Sequence, residues 1–127
     1  MHWLDSAALS ADGRTAIATR TIGQTHPFTQ EGYLLPAALI ELMAQSAAAG
    51  SALDAGAHSR KVRRGMLVAI QQFELFAPVS VGEGGTTLTL TATRERSFAP
   101  FTMARITAHS GATLIASAAM TFHLEFE

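Results

Sequence analysis

Two hydrophobic patterns divide this chain. Between Leu34 and Leu53 nearly every position is apolar or small, and most residues there are good helix formers. From Thr86 onward the apolar residues fall on every second position. Leu88, Leu90 and Ala92 alternate with Thr87, Thr89, Thr91 and Thr93. Leu114, Ala116, Ala118, Met120, Phe122 and Leu124 alternate with Ile115, Ser117, Ala119, Thr121, His123 and Glu125. The first pattern predicts a buried helix. Pro36 opens it, where a missing N–H costs nothing, and Gly50 and Gly56 predict an end between Ala52 and Gly56. The second pattern predicts half-buried antiparallel strands.

Other segments complete the order. Residues 7–10 and 14–22 read as a hairpin turning at Asp12-Gly13. Residues 23–34 read as a loop that delivers the chain to Pro36. Residues 66–76 are apolar at both parities, as in a central strand, and Pro78 stops them. Residues 101–109 form a further strand between turns at 97–100 and at Ser110-Gly111. The sequence therefore runs two strands, one long helix, four strands. A sheet with one apolar face needs a cover, and the helix is the only other element. The predicted fold is a single α+β domain over residues 1–127, with a curved antiparallel sheet of five to six strands around a central helix.

Composition narrows the function classes. Only 15% of the 127 residues are charged while 48% are hydrophobic, so part of the surface is expected to be covered by another subunit. A net charge of −1 gives no sign of a nucleic-acid role. The absence of cysteine removes disulfide and thiol chemistry and fits a reducing, cytoplasmic setting. The first residues lack the basic and apolar regions of a signal peptide. The Ala-rich centre of the helix, with Glu41 and Gln45 in it, reads as a soluble core helix rather than a membrane span. His2, His58 and His109 have no partners at metal-ligand spacing, so no metal site is expected, and His123 reads as a surface histidine.

The chemistry centres on Glu41. Between residues 37 and 49 the only non-apolar residues are Glu41, Gln45 and Ser46, and Glu41 and Gln45, four apart, share a face. A carboxylate in apolar surroundings is costly unless it is paired or protonated. The run Leu35-Pro36-Ala37 followed by Glu41-Leu42-Met43-Ala44-Gln45-Ser46-Ala47 resembles the central-helix motif of the 3-hydroxyacyl-[acyl-carrier-protein] dehydratases of the hotdog fold. Gln71-Gln72-Phe73-Glu74-Leu75-Phe76-Ala77-Pro78-Val79-Ser80-Val81-Gly82 resembles that family's strand, Pro-Val and Gly turn. The likeness runs over roughly residues 4–124. It is nearest to the short dehydratase-like proteins of aryl-polyene and related pigment or polyketide pathways, which share the Pro-Phe loop and the Leu-Pro-Ala helix start.

One departure stands out. The main family carries Gly-His-Phe-Pro-Gly ahead of its acidic residue, and this chain does not. Either Gly32-Tyr33-Leu34-Leu35-Pro36 is a shortened loop that lost the histidine, or His26, fifteen residues before Glu41, replaces it. The resemblance implies dehydration of 3-hydroxyacyl thioesters to trans-2-enoyl thioesters, with no cofactor beyond the phosphopantetheine that carries the substrate. On that reading His26 is the base, Glu41 the acid, and the Ala37 and Ala38 N–H groups at the helix N-terminus hold the thioester oxygen. Gln45 would hold Glu41. Arg60, Lys61, Arg63 and Arg64 would grip phosphopantetheine or an acidic acyl carrier protein, and as a bland alternative they form a solvated loop. Tyr33, Phe28 and the small helix residues would line an acyl tunnel, although core packing is the default for Phe28. In the resembled family the histidine and the acid come from different subunits, which implies a homodimer or a heterodimer with another hotdog subunit. Two alternatives stay open: a hotdog thioesterase, and a non-catalytic subunit that pairs with an active dehydratase.

Overall fold

A computed structural model describes residues 3–127; His2 lies outside them. The chain opens with β1 (Ser6–Leu9) and β2 (Thr15–Ile22), an antiparallel hairpin. Its turn is fixed by Asp12, whose Oδ1 accepts from the Ser10 hydroxyl at 2.6 Å and from the Arg14 N–H at 3.0 Å. These two bonds, the hydroxyl first, hold the Asp12 carboxyl below its ordinary range.

The segment expected to be a plain loop holds two short strands, β3 (Thr29–Gln30) and β4 (Tyr33–Leu34). Glu31 and Gly32 join them with φ of 52° and 81°. Paired positive φ values suit the two-residue turn of a tight hairpin. The helix α1 (Pro36–Ala57) follows. It ends one residue past the predicted range, and Gly50, within it, has a packing role. A Cβ at Gly50 would lie 2.8 Å from the Ala16 Cβ, so the missing side chain lets α1 press against β2. The helix stops where Ser59 turns left-handed at φ 57°, the Ser59 N–H donating to the Gly56 carbonyl and the Arg60 N–H to that of Ala55.

Four long strands complete the chain: β5 (Val62–Leu75), β6 (Thr86–Phe98), β7 (Phe101–Ser110) and β8 (Thr113–Phe126). The six-stranded sheet has the order β1-β2-β6-β7-β8-β5, antiparallel throughout. Its inner face supplies Ala16, Ala18, Leu88, Leu90, Ile106, Ala118 and Met120, and α1 supplies Leu39, Leu42 and Met43, all at most 1% exposed. This is the expected hotdog arrangement.

Two sequence expectations need correction. The segment read as a central strand is β5, which lies at the sheet edge and, among the described residues, pairs only with β8. Met66, Leu67, Val68 and Ile70 stay 38–47% exposed within one chain. The second correction concerns the start of β8. Leu114 was expected to face inward, yet it is 39% exposed and Ile115 is 3% exposed. The β7–β8 pairing shifts register between Ala108 and His109, leaving Ile115 as an extra residue, and a one-residue slip swaps faces. No helix among the described residues is long and apolar enough to cross a membrane.

Candidate functional site

The site is built on the side of α1 that turns away from the sheet. Ala38, Leu39, Leu42, Met43, Ser46 and Ala47 are buried, whereas Glu41, Gln45 and Ala48 are half-buried and Ala52 is exposed. The last four recur at three- and four-residue steps, so they form one stripe along the helix. Within that stripe the Gln45 amide donates to Glu41 Oε1 at 2.8 Å. The bond fixes one carboxylate oxygen and leaves Oε2 for another partner.

At the helix N-terminus the two expected oxyanion donors differ. The Ala38 N–H is engaged, donating to the Leu35 carbonyl at 3.0 Å. The Ala37 N–H, on an exposed residue, has no acceptor among the described residues. Of the pair, only Ala37 is ready to receive a ligand oxygen. At the same end of α1 lies a cavity of about 350 Å³ bordered by Tyr33, Leu35, Pro36, Leu39, Leu75 and Val79 but not by Ala37. Tyr33 is 51% exposed there, while Phe28 packs against the core. The Glu41 carboxylate does not border this cavity.

His26 is half-buried on the loop before α1. Its Nδ1 accepts the Phe28 N–H at 3.1 Å. The ring lies 5.5 Å from that of Phe28, which in turn stacks on Trp3 at 5.8 Å. An Nδ1 that accepts a hydrogen bond carries no proton, so the neutral ring holds its hydrogen on Nε2. His26 in this loop is therefore a donor at Nε2, with its free lone pair already used. Within one chain His26 makes no bond to Glu41.

The side chains of the basic run take different contacts. Arg60 folds over the Phe126 ring at 3.7 Å. Arg64 reaches back to the Met66 sulfur at 3.2 Å, and Lys61 and Arg63 are exposed with no carboxylate within ion-pair distance among the described residues. Of the remaining histidines, His123 lies between buried Phe122 and Leu124 on the outer face of β8, half-buried with its ring edge-on to Phe101 at 5.4 Å. No group of metal-binding side chains occurs among the described residues. Sequence reasoning also missed the ion pair of Asp54 with Arg94, 2.7 Å apart and forty residues apart in the chain, for which no local pattern exists.

A family model described as ApeP-like, ApeP dehydratase, matches residues 1–123. No curated protein matches the chain. Among solved structures, the chain resembles the dehydratase heterocomplex ApeI:P from Xenorhabdus doucetiae. The TM-score is 0.83 at 16% identity, over 98% of this chain and 83% of that one. It also resembles the E. coli PaaI protein from the phenylacetic acid degradation operon, with TM-score 0.69, 15% identity and coverage of 87% and 72%. A thioesterase from Haemophilus influenzae gives TM-score 0.71 at 16% identity, covering 93% and 75%. At these identities the structural likenesses are likenesses of fold.

Proposed function

The chain belongs to the ApeP-like family of dehydratases, and from that premise we propose that it dehydrates 3-hydroxyacyl thioesters held on acyl carrier protein. The products would be trans-2-enoyl thioesters for fatty-acid or polyketide-type synthesis of the aryl-polyene kind. The observation that carries the reading is Glu41, a half-buried carboxylate in the mostly apolar first half of α1, held at one oxygen by Gln45 and open at the other.

The roles proposed here differ from those first expected. His26 presents Nε2–H, so it suits hydrogen-bond donation to the thioester oxygen rather than proton removal. The Ala37 N–H adds a second donor. Proton transfer then falls to Glu41. Its carboxylate takes the C2 proton, and the negative charge moves to the thioester oxygen. As C2=C3 forms and the C3–O bond breaks, Glu41 returns that proton to the departing hydroxyl, and water leaves. The substrate is carried on phosphopantetheine, and no further cofactor enters the proposed reaction. With Arg60 drawn onto Phe126, the cations left for an acidic carrier are Lys61, Arg63 and Arg64.

His26 and Glu41 do not meet in one chain, so the site is proposed to close between two subunits. The β5 edge supports that step. It offers unpaired backbone groups along fourteen residues and exposed Met66, Leu67, Val68 and Ile70 for a second hotdog chain to cover. The half-site geometry also favours a second reading, in which this chain lends Glu41 to a mixed dimer whose partner supplies the histidine.

The test is to incubate the protein with a 3-hydroxyacyl carrier protein, alone and with a second hotdog subunit. Mass spectrometry then follows water loss and release of free acid. Water loss that disappears with Glu41→Gln supports the dehydratase. Activity only with the partner supports the mixed dimer. Free acid in place of enoyl product refutes dehydration and indicates a thioesterase.

A further inference from the structure

The largest cavity described lies at the opposite end of α1 from the Ala37 N–H. It holds about 660 Å³ and is bordered by side chains from the last turn of the helix, the β6–β7 turn and the end of β8. Asp54 is about 20 Å along the axis from Glu41 at roughly 1.5 Å per residue. Nothing in the proposed reaction uses this space.

Its chemistry is sorted. Ala55, Pro100, Phe101, Leu124 and Phe126 give it an apolar wall, interrupted by the hydroxyl residues Ser51, Ser97 and Thr102. Four titratable or charged groups border it: Asp54, His58, Arg60 and Arg94. Asp54 and Arg94 neutralise each other at 2.7 Å. The Nδ1–H of His58 donates to the Asp54 carbonyl at 2.9 Å, which leaves Nε2 toward solvent or ligand. Arg60 is different. Its guanidinium rests on the Phe126 face, and no carboxylate lies within ion-pair distance of it among the described residues. The cavity thus combines a largely apolar wall and a few hydroxyls with one planar cation that no carboxylate offsets among the described residues.

We propose that this cavity is a binding site for an amphipathic monocarboxylate, an acyl or aryl acid whose carboxylate pairs with Arg60 and whose apolar body fills the space between Phe101, Phe126 and Leu124. A guanidinium fork matches a carboxylate in two parallel hydrogen bonds. One net positive charge balances one negative charge, whereas a phosphate dianion would be left half-neutralised. The volume falls within the range of small-molecule pockets and far exceeds what a bare anion needs. A thioester substrate carries no free carboxylate at its acyl head, so the ligand is the free acid, of the kind that thioester hydrolysis releases. The inference does not depend on the reaction proposed for Glu41.

The test uses the full chain and calorimetric or ligand-observed NMR titration, with octanoate, octan-1-ol, inorganic phosphate and phosphopantetheine as probes. Octanoate is expected to bind, and Arg60→Gln is expected to weaken it about tenfold to a hundredfold, the span of a charge-assisted pair. Ser51→Phe, which fills the cavity from the half-buried wall, should abolish binding, with the unfolding midpoint recorded to exclude misfolding. Glu41→Gln should leave octanoate binding unchanged. The proposal is overturned if octanoate does not bind, if octan-1-ol binds as well, if Arg60→Gln has no effect, or if phosphate or phosphopantetheine is bound in its place.

Discussion

Two glycines on α1 should respond to alanine with opposite signs. Gly56 has nothing within 4 Å of a built Cβ, so Gly56→Ala only replaces a poor helix former with the best one. That gain is about 0.5–1 kcal/mol. Gly50→Ala receives the same propensity gain but places a Cβ 2.8 Å from the Ala16 Cβ. Both atoms sit directly on backbone, so neither can swing aside. Helix and β2 must separate by more than half an ångström, roughly, to restore ordinary contact, and overpacking of this kind costs about 1–3 kcal/mol. The steric cost exceeds the gain, leaving Gly50→Ala about 1 kcal/mol less stable than the parent. Because the propensity gain is common to both, the gap between the two variants is the steric cost itself, about 1–3 kcal/mol. Urea denaturation followed by circular dichroism, at one fixed protein concentration because assembly adds stability, measures both. If Gly50→Ala proves as stable as Gly56→Ala, the close approach of α1 to β2 is wrong.

Three further outcomes follow from the geometry. If His26 acts as a donor, His26→Gln, which keeps an N–H, should retain at least tenfold more dehydration activity than Glu41→Gln; equal loss in a single-turnover assay would restore the base role to His26. A lysine at Val68, which is 47% exposed on β5, should shift the sedimenting species toward monomer, and an unchanged sedimentation profile would move the subunit contact elsewhere. Ser10→Ala should raise the Asp12 pKa toward its ordinary value of 3.8, read by NMR titration. Because that carboxyl titrates lower when folded, the parent's contribution is present above the ordinary value and lost as pH falls through the lowered one.

The fold was legible where periodicity was long. Leu88 to Ala92 and Ala116 to Leu124 carry clean alternation, and α1 carries a long run of helix formers, so six strands and one helix could be placed without coordinates. The misreadings have separate causes. An apolar pattern carries no strand order, which topology sets. Residues 66–76 are apolar on both faces, yet β5 is exposed along one edge in a single chain. The Leu114 reversal came from a bulge, which leaves no mark in a two-residue period. At the site, Glu41 and Gln45 announced themselves by their spacing. The proton position on His26 did not, because it depends on the Phe28 N–H two residues away and on how the loop folds.

The bare edge of β5 bears on how such a protein must be made. Along this fourteen-residue strand the N–H and C=O groups that turn away from β8, flanked by Met66, Val68 and Ile70, are a template for promiscuous strand addition. Chains produced faster than they are capped would seed aggregates or fall to proteases. Balanced synthesis with whichever chain covers that edge, rather than later mixing of separately purified pieces, is therefore the route by which well-behaved material should be obtained.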